Sequence, residues 1–134
     1  MPKTIIAYLM TAIVFFGIDY VWLSQMGGTF YKDRLGELMA ERPNFAVAGL
    51  FYLVYVGGLV YFAVWPALVS GSWTTALVAG ALLGFVAYGT YDMTNLATLK
   101  NWPVSVTIVD VVWGTCLTGF SALAGYFLTR WVSG

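Results

Sequence analysis

The sequence contains no histidine, and Cys116 is its only cysteine. One chain therefore cannot form a His/Cys zinc site, a Ser-His-Asp triad, a Cys-His pair or a His-ligated haem site. A disulfide within the chain is excluded as well. Any chemistry must use carboxylate, hydroxyl, amide, lysine or arginine groups, and we predict neither a cofactor nor a metal site.

Charged residues are also scarce. They make up 9% of the 134 residues, whereas a soluble domain has roughly 25%. Six basic residues balance six acidic ones, so no net charge would attract nucleic acid, and we exclude it as a partner. Hydrophobic residues account for 60% of the chain, which predicts one transmembrane domain over residues 1–134 with the lipid bilayer as its main partner.

Four segments are apolar over about the 20 residues that a helix needs to cross a hydrocarbon core of about 30 Å. We predict spans at about residues 4–26, 45–69, 74–95 and 103–128. Gly27 and Gly28 are expected to break the first span, a turn at residues 70–72 separates the second and third, and residues 100–103 precede the fourth.

Between the first two spans the chain is polar, but some apolar residues recur at near-helical spacing. These residues are Phe30, Tyr31, Leu35, Leu38 and Met39. The pattern predicts a short amphipathic helix on the membrane surface. The predicted fold is therefore all-α: a polytopic membrane protein with four transmembrane helices in a bundle and a short interfacial helix between the first two.

The few basic residues favour one orientation. With four spans, both termini lie on one side of the membrane and the two longer loops on the other. Lys32, Arg34, Arg42 and Lys100 fall on the loop side, against Lys3 and Arg130 on the terminal side. The positive-inside rule thus predicts that loops 27–44 and 96–102 are cytoplasmic and that the termini are periplasmic.

Small residues in the third span indicate close helix packing. Gly80 and Gly84 form a G-x-x-x-G pattern, and Ser121 and Gly125 repeat this spacing in the fourth span. Such faces join helices within one subunit or between two, so a homodimer through Gly80 and Gly84 is one expectation. Cys116 is expected to be a small core residue.

Three carboxylates interrupt the apolar spans. An ionisable side chain near the middle of a bilayer costs at least about 2.5 kcal/mol, so such residues usually have a function. Asp19 lies seven residues before Met26, and Asp110 lies seven residues after Pro103. Each is therefore roughly 10 Å from the same membrane surface, and Asp92 is closer to it. All three acids are predicted in the cytoplasmic half.

Other polar and aromatic residues fall at a similar depth on every span. Because polar groups in hydrocarbon turn inward to find partners, we predict one cavity between the helices, opening toward the cytoplasm. The predicted ligand-binding residues are Asp19, Trp22, Tyr52, Tyr55, Tyr88, Tyr91, Asp92, Asn95, Thr107, Asp110 and Trp113. The alternative is structural: buried aspartates that only fix the packing, with Asp92 capping a loop or meeting Lys100.

Several of these segments resemble the DUF2177 family of small bacterial membrane proteins. The similarity lies in residues 15–23, 51–58, 88–99, 102–103 and 110–114. Its most specific part is the polar stretch Tyr-Asp-Met-Thr-Asn-Leu-Ala-Thr at residues 91–98. The resemblance implies a bacterial inner-membrane protein of about this length, and it implies no activity or ligand.

Four function classes remain open at this point. The leading hypothesis is binding of a small or lipid-like molecule, with a cation favoured because carboxylates beside aromatic faces attract cations. A small proton-coupled transporter acting as a dimer is the second. A lipid-modifying membrane enzyme using two carboxylates is the third, although no nucleophile motif indicates one. A structural partner in a larger membrane complex is the fourth.

Overall fold

The computed structural model describes residues 2–40 and 44–133. Within these ranges every secondary-structure element is helical, and four helices are long and apolar enough to cross a membrane. The four spans are Lys3–Leu38, Phe45–Ser70, Trp73–Thr98 and Val104–Ser133. The predicted all-α fold with four membrane spans is confirmed. Glu41, Arg42 and Pro43 belong to the predicted interfacial segment and loop, and they lie outside the described residues.

The first span does not break at its glycine pair, so that prediction is wrong. Helix α1, Lys3–Met26, continues through a π-helical turn at Gly27–Tyr31 into the short helix α2, Lys32–Leu35. Gly27 has helical dihedral angles, φ −63° and ψ −44°. Glycine lowers helix stability by only about 1 kcal/mol, which tertiary contacts can override. The expected interfacial helix is therefore a continuation of the first span.

The second span also contains a π-helical turn. Helix α3, Phe45–Leu59, leads through Val60–Val64 into α4, Trp65–Ser70. The Asn44 side chain accepts a hydrogen bond from the Val47 amide at 3.1 Å and so caps the start. Gly71 adopts a left-handed conformation with φ 70° and ends the span, as the predicted turn requires.

The third and fourth spans, α5 (Trp73–Thr98) and α6 (Val104–Ser133), form the closest helix pair. A Cβ added at Gly80 would lie 2.7 Å from the Ala122 Cβ, and one at Gly84 would overlap the Gly114 carbonyl oxygen. The small residues therefore let two backbones approach each other within the subunit. Gly80 and Gly84 face α6 of the same chain, and a homodimer stays a prediction.

The hydrophobic core is concentrated in one half of the bundle, toward the termini and the turn at residues 70–72. It contains Ala7, Phe15, Val56, Leu59, Val60, Ala63, Val64, Ala67, Ala76, Leu117, Ala122 and Tyr126. Cys116 is exposed on α6, so its expected place in the core is wrong. The next two residues, Leu117 and Thr118, take the buried positions of that turn.

Candidate functional site

A cavity of about 610 Å³ opens between the spans in the other half of the bundle. Its walls contain most of the residues that the sequence predicted as ligand-binding. These are Asp19, Trp22, Tyr52, Tyr55, Tyr88, Tyr91, Asp92, Asp110 and Trp113. The predicted gathering of acids and aromatic residues around one cavity is thus present, and its role in binding stays a prediction.

The three carboxylates come from three different spans. Asp19 belongs to α1 and is 5% exposed, Asp92 belongs to α5 and is fully buried, and Asp110 of α6 is half-buried. For Asp19 and Asp110 to lie in the same cavity, the first span must run antiparallel to the fourth. The end of the first span then lies beside the start of the fourth. The short loops of a four-span bundle produce this arrangement.

Two stacked tryptophans connect two of these acids. The rings of Trp22 and Trp113 are 4.1 Å apart between centroids and 8° from parallel. The Trp113 indole N–H donates to an Asp19 oxygen at 3.2 Å. The Trp22 indole N–H donates to the Tyr31 hydroxyl at 3.1 Å, which in turn donates to an Asp110 oxygen at 2.8 Å. Each of these two carboxylates therefore has one donor fixed by aromatic packing.

Asp92 differs from the other two acids. Both of its carboxyl oxygens are buried and lack a hydrogen-bond partner among residues 2–40 and 44–133. Its carboxyl group lies beside that of Asp110 in the cavity wall. Lys100 is exposed and makes no such bond, so the proposed pairing of Asp92 with Lys100 is wrong. Leaving a buried polar group without a partner costs about 1–3 kcal/mol.

No lysine or arginine balances these acids among the described residues that line the cavity. The described basic residues, Lys3, Lys32, Arg34, Lys100 and Arg130, are all exposed. Arg34 lies over the Phe30 ring at 4.3 Å, and Arg130 donates to the Tyr126 hydroxyl at 2.8 Å. The cavity therefore holds three acidic groups in an apolar setting, where protons or a cation must neutralise them.

The model of the DUF2177 family of predicted membrane proteins matches residues 4–127. The chain belongs to this family. Neither a curated protein nor a solved structure matches this chain. Membership confirms the resemblance seen in the sequence and establishes a membrane protein, and it assigns no activity.

Tight packing positions the aromatic walls of this DUF2177 protein. A Cβ at Gly114 would overlap the Tyr88 ring, so glycine at this position lets the ring lie against α6. The Tyr55 hydroxyl is 2.9 Å from the Thr118 hydroxyl. Phe15 packs edge-on against Tyr52 at 5.6 Å between ring centroids. These contacts give the cavity a preformed shape, as is usual for ligand sites.

Two predicted site residues do not line the cavity. The Thr107 hydroxyl accepts a hydrogen bond from the Trp102 indole N–H at 3.1 Å and donates to the Pro103 carbonyl oxygen at 3.3 Å. Thr107 therefore holds Trp102, which does line the cavity. Asn95 is half-buried on α5 beyond the lining residues. Both share a helical face with an acid, but neither is among the residues that line the cavity.

Sequence reasoning missed several lining residues in this DUF2177 protein. They are Leu23, Gly27, Tyr31, Leu35, Met39, Phe51, Ala87, Thr90, Trp102 and Val106. Tyr31 matters most because it donates to Asp110. The signal was present: Tyr31, Leu35 and Met39 follow one another at four-residue spacing on the apolar face of the amphipathic segment. That face covers the cavity, whereas the sequence pattern predicts that it lies on the membrane surface.

The acids of this DUF2177 protein do not form a metal cage. Within the described ranges, no group of three or more His, Cys, Asp or Glu residues is arranged to hold a metal ion. The chemistry that the site offers is hydrogen-bond acceptance and negative charge from carboxylates, together with the π faces of tryptophan and tyrosine.

Proposed function

We propose that this protein binds an organic cation, a small or lipid-like amine, in the cavity of acids and aromatic rings. One observation carries the proposal: three carboxylates from three spans border one cavity, and no basic residue is among its described lining residues. A ligand with an ammonium group supplies the missing positive charge.

The hydrogen bonding of the acids supports an amine that can donate protons. Asp19 and Asp110 each accept a hydrogen bond from an aromatic side chain, and a carboxylate has lone pairs for further donors. Charge-assisted hydrogen bonds from N–H to carboxylate are roughly twice as strong as neutral ones. In the low dielectric of the membrane, such bonds offset the cost of removing the ammonium group from water.

The cavity walls support the same ligand class. Cation–π attraction to tryptophan or tyrosine contributes about 0.5–2 kcal/mol, and Trp22, Trp113 and Tyr88 all line the cavity. The volume of about 610 Å³ lies within the roughly 300–1,000 Å³ typical of pockets for small organic molecules. A headgroup or a compact amine fits this space.

The proposal includes a place in the cell. The resemblance and the distribution of basic residues favour the bacterial inner membrane, with the loops in the cytoplasm. The cavity lies at the loop end of the bundle, so it would open in the cytoplasmic half of the bilayer. The transporter, lipid-enzyme and assembly hypotheses remain predictions, and none explains the unbalanced acids as directly.

Equilibrium binding of butylammonium to the purified protein tests the proposal. We expect the double variant Asp19→Asn/Asp110→Asn to lose at least about tenfold in affinity, the equivalent of 1.4 kcal/mol. The control Asp33→Asn/Glu37→Asn removes the same charge from two exposed residues and should bind like the wild type. Equal affinity for all three proteins, or equal binding of neutral butanol, would contradict the proposal.

A further inference from the structure

We infer that the ligand is an amphiphile dissolved in the bilayer, whose ammonium group reaches the acids through a lateral opening between the first and second spans. The inference rests on the proposed function and names the ligand class more narrowly. Its basis is the shape of the second span and the chemistry of the cavity mouth.

The two halves of the second span pack very differently. In its second half, Val56, Leu59, Val60, Ala63, Val64 and Ala67 are buried in the core. In its first half, residues 45–54, only Gly49 and Tyr52 are even half-buried. Phe51 is 62% exposed, although it lines the cavity. The start of this span is therefore loosely packed at the level of the cavity, and we place the gap where the exposed lining residues of the first and second spans, Leu23 and Phe51, meet the surface.

The edges of this gap are apolar. Leu23, Leu35 and Met39 line the cavity from the first span, and Phe51 lines it from the second. Leu23 is 43% exposed, so this edge is open at the surface of the protein. The acids lie farther in, where Asp19 and Asp92 are buried. The cavity thus has a charged inner end and an apolar outer end, which is the polarity of an alkylammonium ion.

The position of the gap along the helices indicates what lies outside it. Leu23 and Phe51 both belong to the predicted spans, residues 4–26 and 45–69. Hydrocarbon rather than water is expected at that depth. An alkyl chain that already lies in the bilayer can occupy the apolar mouth while its headgroup meets the acids. A short amine can use only the inner end.

Two probes and two matched variants test this inference in phosphatidylcholine nanodiscs. The probes are dodecylammonium and butylammonium. The affinity for dodecylammonium is expressed relative to its concentration in the bilayer, and the affinity for butylammonium relative to its concentration in water. Leu23→Trp fills the mouth, and Leu9→Trp places the same ring at an exposed leucine of the same helix, outside the cavity lining. Butylammonium binding also reports that each variant is folded.

We expect Leu23→Trp to weaken dodecylammonium binding at least fivefold while butylammonium binding changes less than twofold. Leu9→Trp should leave both affinities unchanged. If Leu23→Trp leaves dodecylammonium binding intact while butylammonium still binds, the lateral opening is refuted and the proposed function stands. If neither ammonium probe binds the wild type, both fail.

Two further outcomes would also overturn the inference. One is dodecanol binding as tightly as dodecylammonium, since the acids would then contribute nothing to recognition of the chain-bearing ligand. The other is a change from dimer to monomer on Leu23→Trp, because a second copy of the chain would then cover the mouth. Dodecanol binding at least tenfold more weakly, with an unchanged particle mass, supports the amphiphile.

Discussion

The two halves of this bundle differ in what fills the space between the helices. In the half near the termini, glycine, alanine and threonine bring α5 and α6 so close that a Cβ at Gly80 or Gly84 has no room. In the half near the loops, aromatic rings and three acids surround an open cavity. Stability and function are therefore expected to depend on different ends of the same helices.

A large loss of stability should come from adding one methyl group to the packed half. Gly84→Ala places a Cβ against the Gly114 carbonyl oxygen, a backbone atom that cannot rotate away. We expect a loss of about 2–3 kcal/mol in the free energy of unfolding, measured by equilibrium denaturation in mixed micelles.

The matched control is Gly89→Ala in the same helix, where an added Cβ would meet no atom within 4 Å. It should leave stability unchanged or raise it by up to about 1 kcal/mol through helix propensity. A similar loss for both variants would show that the close contact between α5 and α6 does not determine stability.

In the open half, replacing one buried carboxyl group should stabilise the protein. Asp92→Asn eliminates a buried carboxyl group without a partner and places an amide donor beside Asp110. We expect the free energy of unfolding to rise by about 1–2 kcal/mol without ligand, measured as for the glycine variants. Butylammonium affinity should fall in the same variant.

The control for this expected gain in stability is Asp33→Asn, because Asp33 is exposed. It should change stability by no more than about 0.5 kcal/mol. Destabilisation by Asp92→Asn would mean that the carboxyl group contributes to packing, which would favour the structural explanation of the buried acids.

Much of this comparison could be predicted from sequence. A fixed rise per residue converts sequence position into depth, and this predicts Asp19, Asp92 and Asp110 in the same half of the membrane. The G-x-x-x-G face was also recognised, but sequence does not say whether the partner helix is in the same chain. Gly80 and Gly84 face α6, and only the three-dimensional packing shows it.

The course of the first span could not be predicted. Gly27 and Gly28 ordinarily favour a break, yet a π-helical turn continues the helix and directs Tyr31 to Asp110. Tyr31 and Asp110 are 79 positions apart, so local propensity holds no information about this hydrogen bond. The prediction for Cys116 is wrong because apolar side chains in a membrane span face lipid as well as the core, so apolar character alone does not identify the buried face.

A smaller effect is expected when the hydrogen bond from Tyr31 to Asp110 is removed. Tyr31→Phe removes the donor to the carboxylate and the acceptor for Trp22. We expect the opening free energy of the amides in residues 27–38 to fall by about 1 kcal/mol in hydrogen exchange. Tyr20→Phe, at an exposed tyrosine of α1, should leave exchange unchanged. Faster exchange in both would show that the Tyr31 hydroxyl does not hold this segment.

The smallest effect should be at the outer face of the packed half. Cys116→Ala should alter stability by less than about 0.5 kcal/mol, because the side chain is exposed. The neighbouring Leu117→Ala should cost about 2–5 kcal/mol, since Leu117 is buried. Equilibrium denaturation of the two variants measures both changes in the free energy of unfolding. A large loss of stability in Cys116→Ala would show that Cys116 lies in a contact between helices.

The most direct test of the cation site is a crystal structure with 4-iodobenzylammonium, whose iodine is located by its anomalous signal. The proposed function predicts one iodine peak inside the cavity, with the ammonium group within hydrogen-bond distance of Asp19 or Asp110. A peak only beside the exposed acids Asp33 or Glu37, or no peak at a saturating concentration, would contradict it.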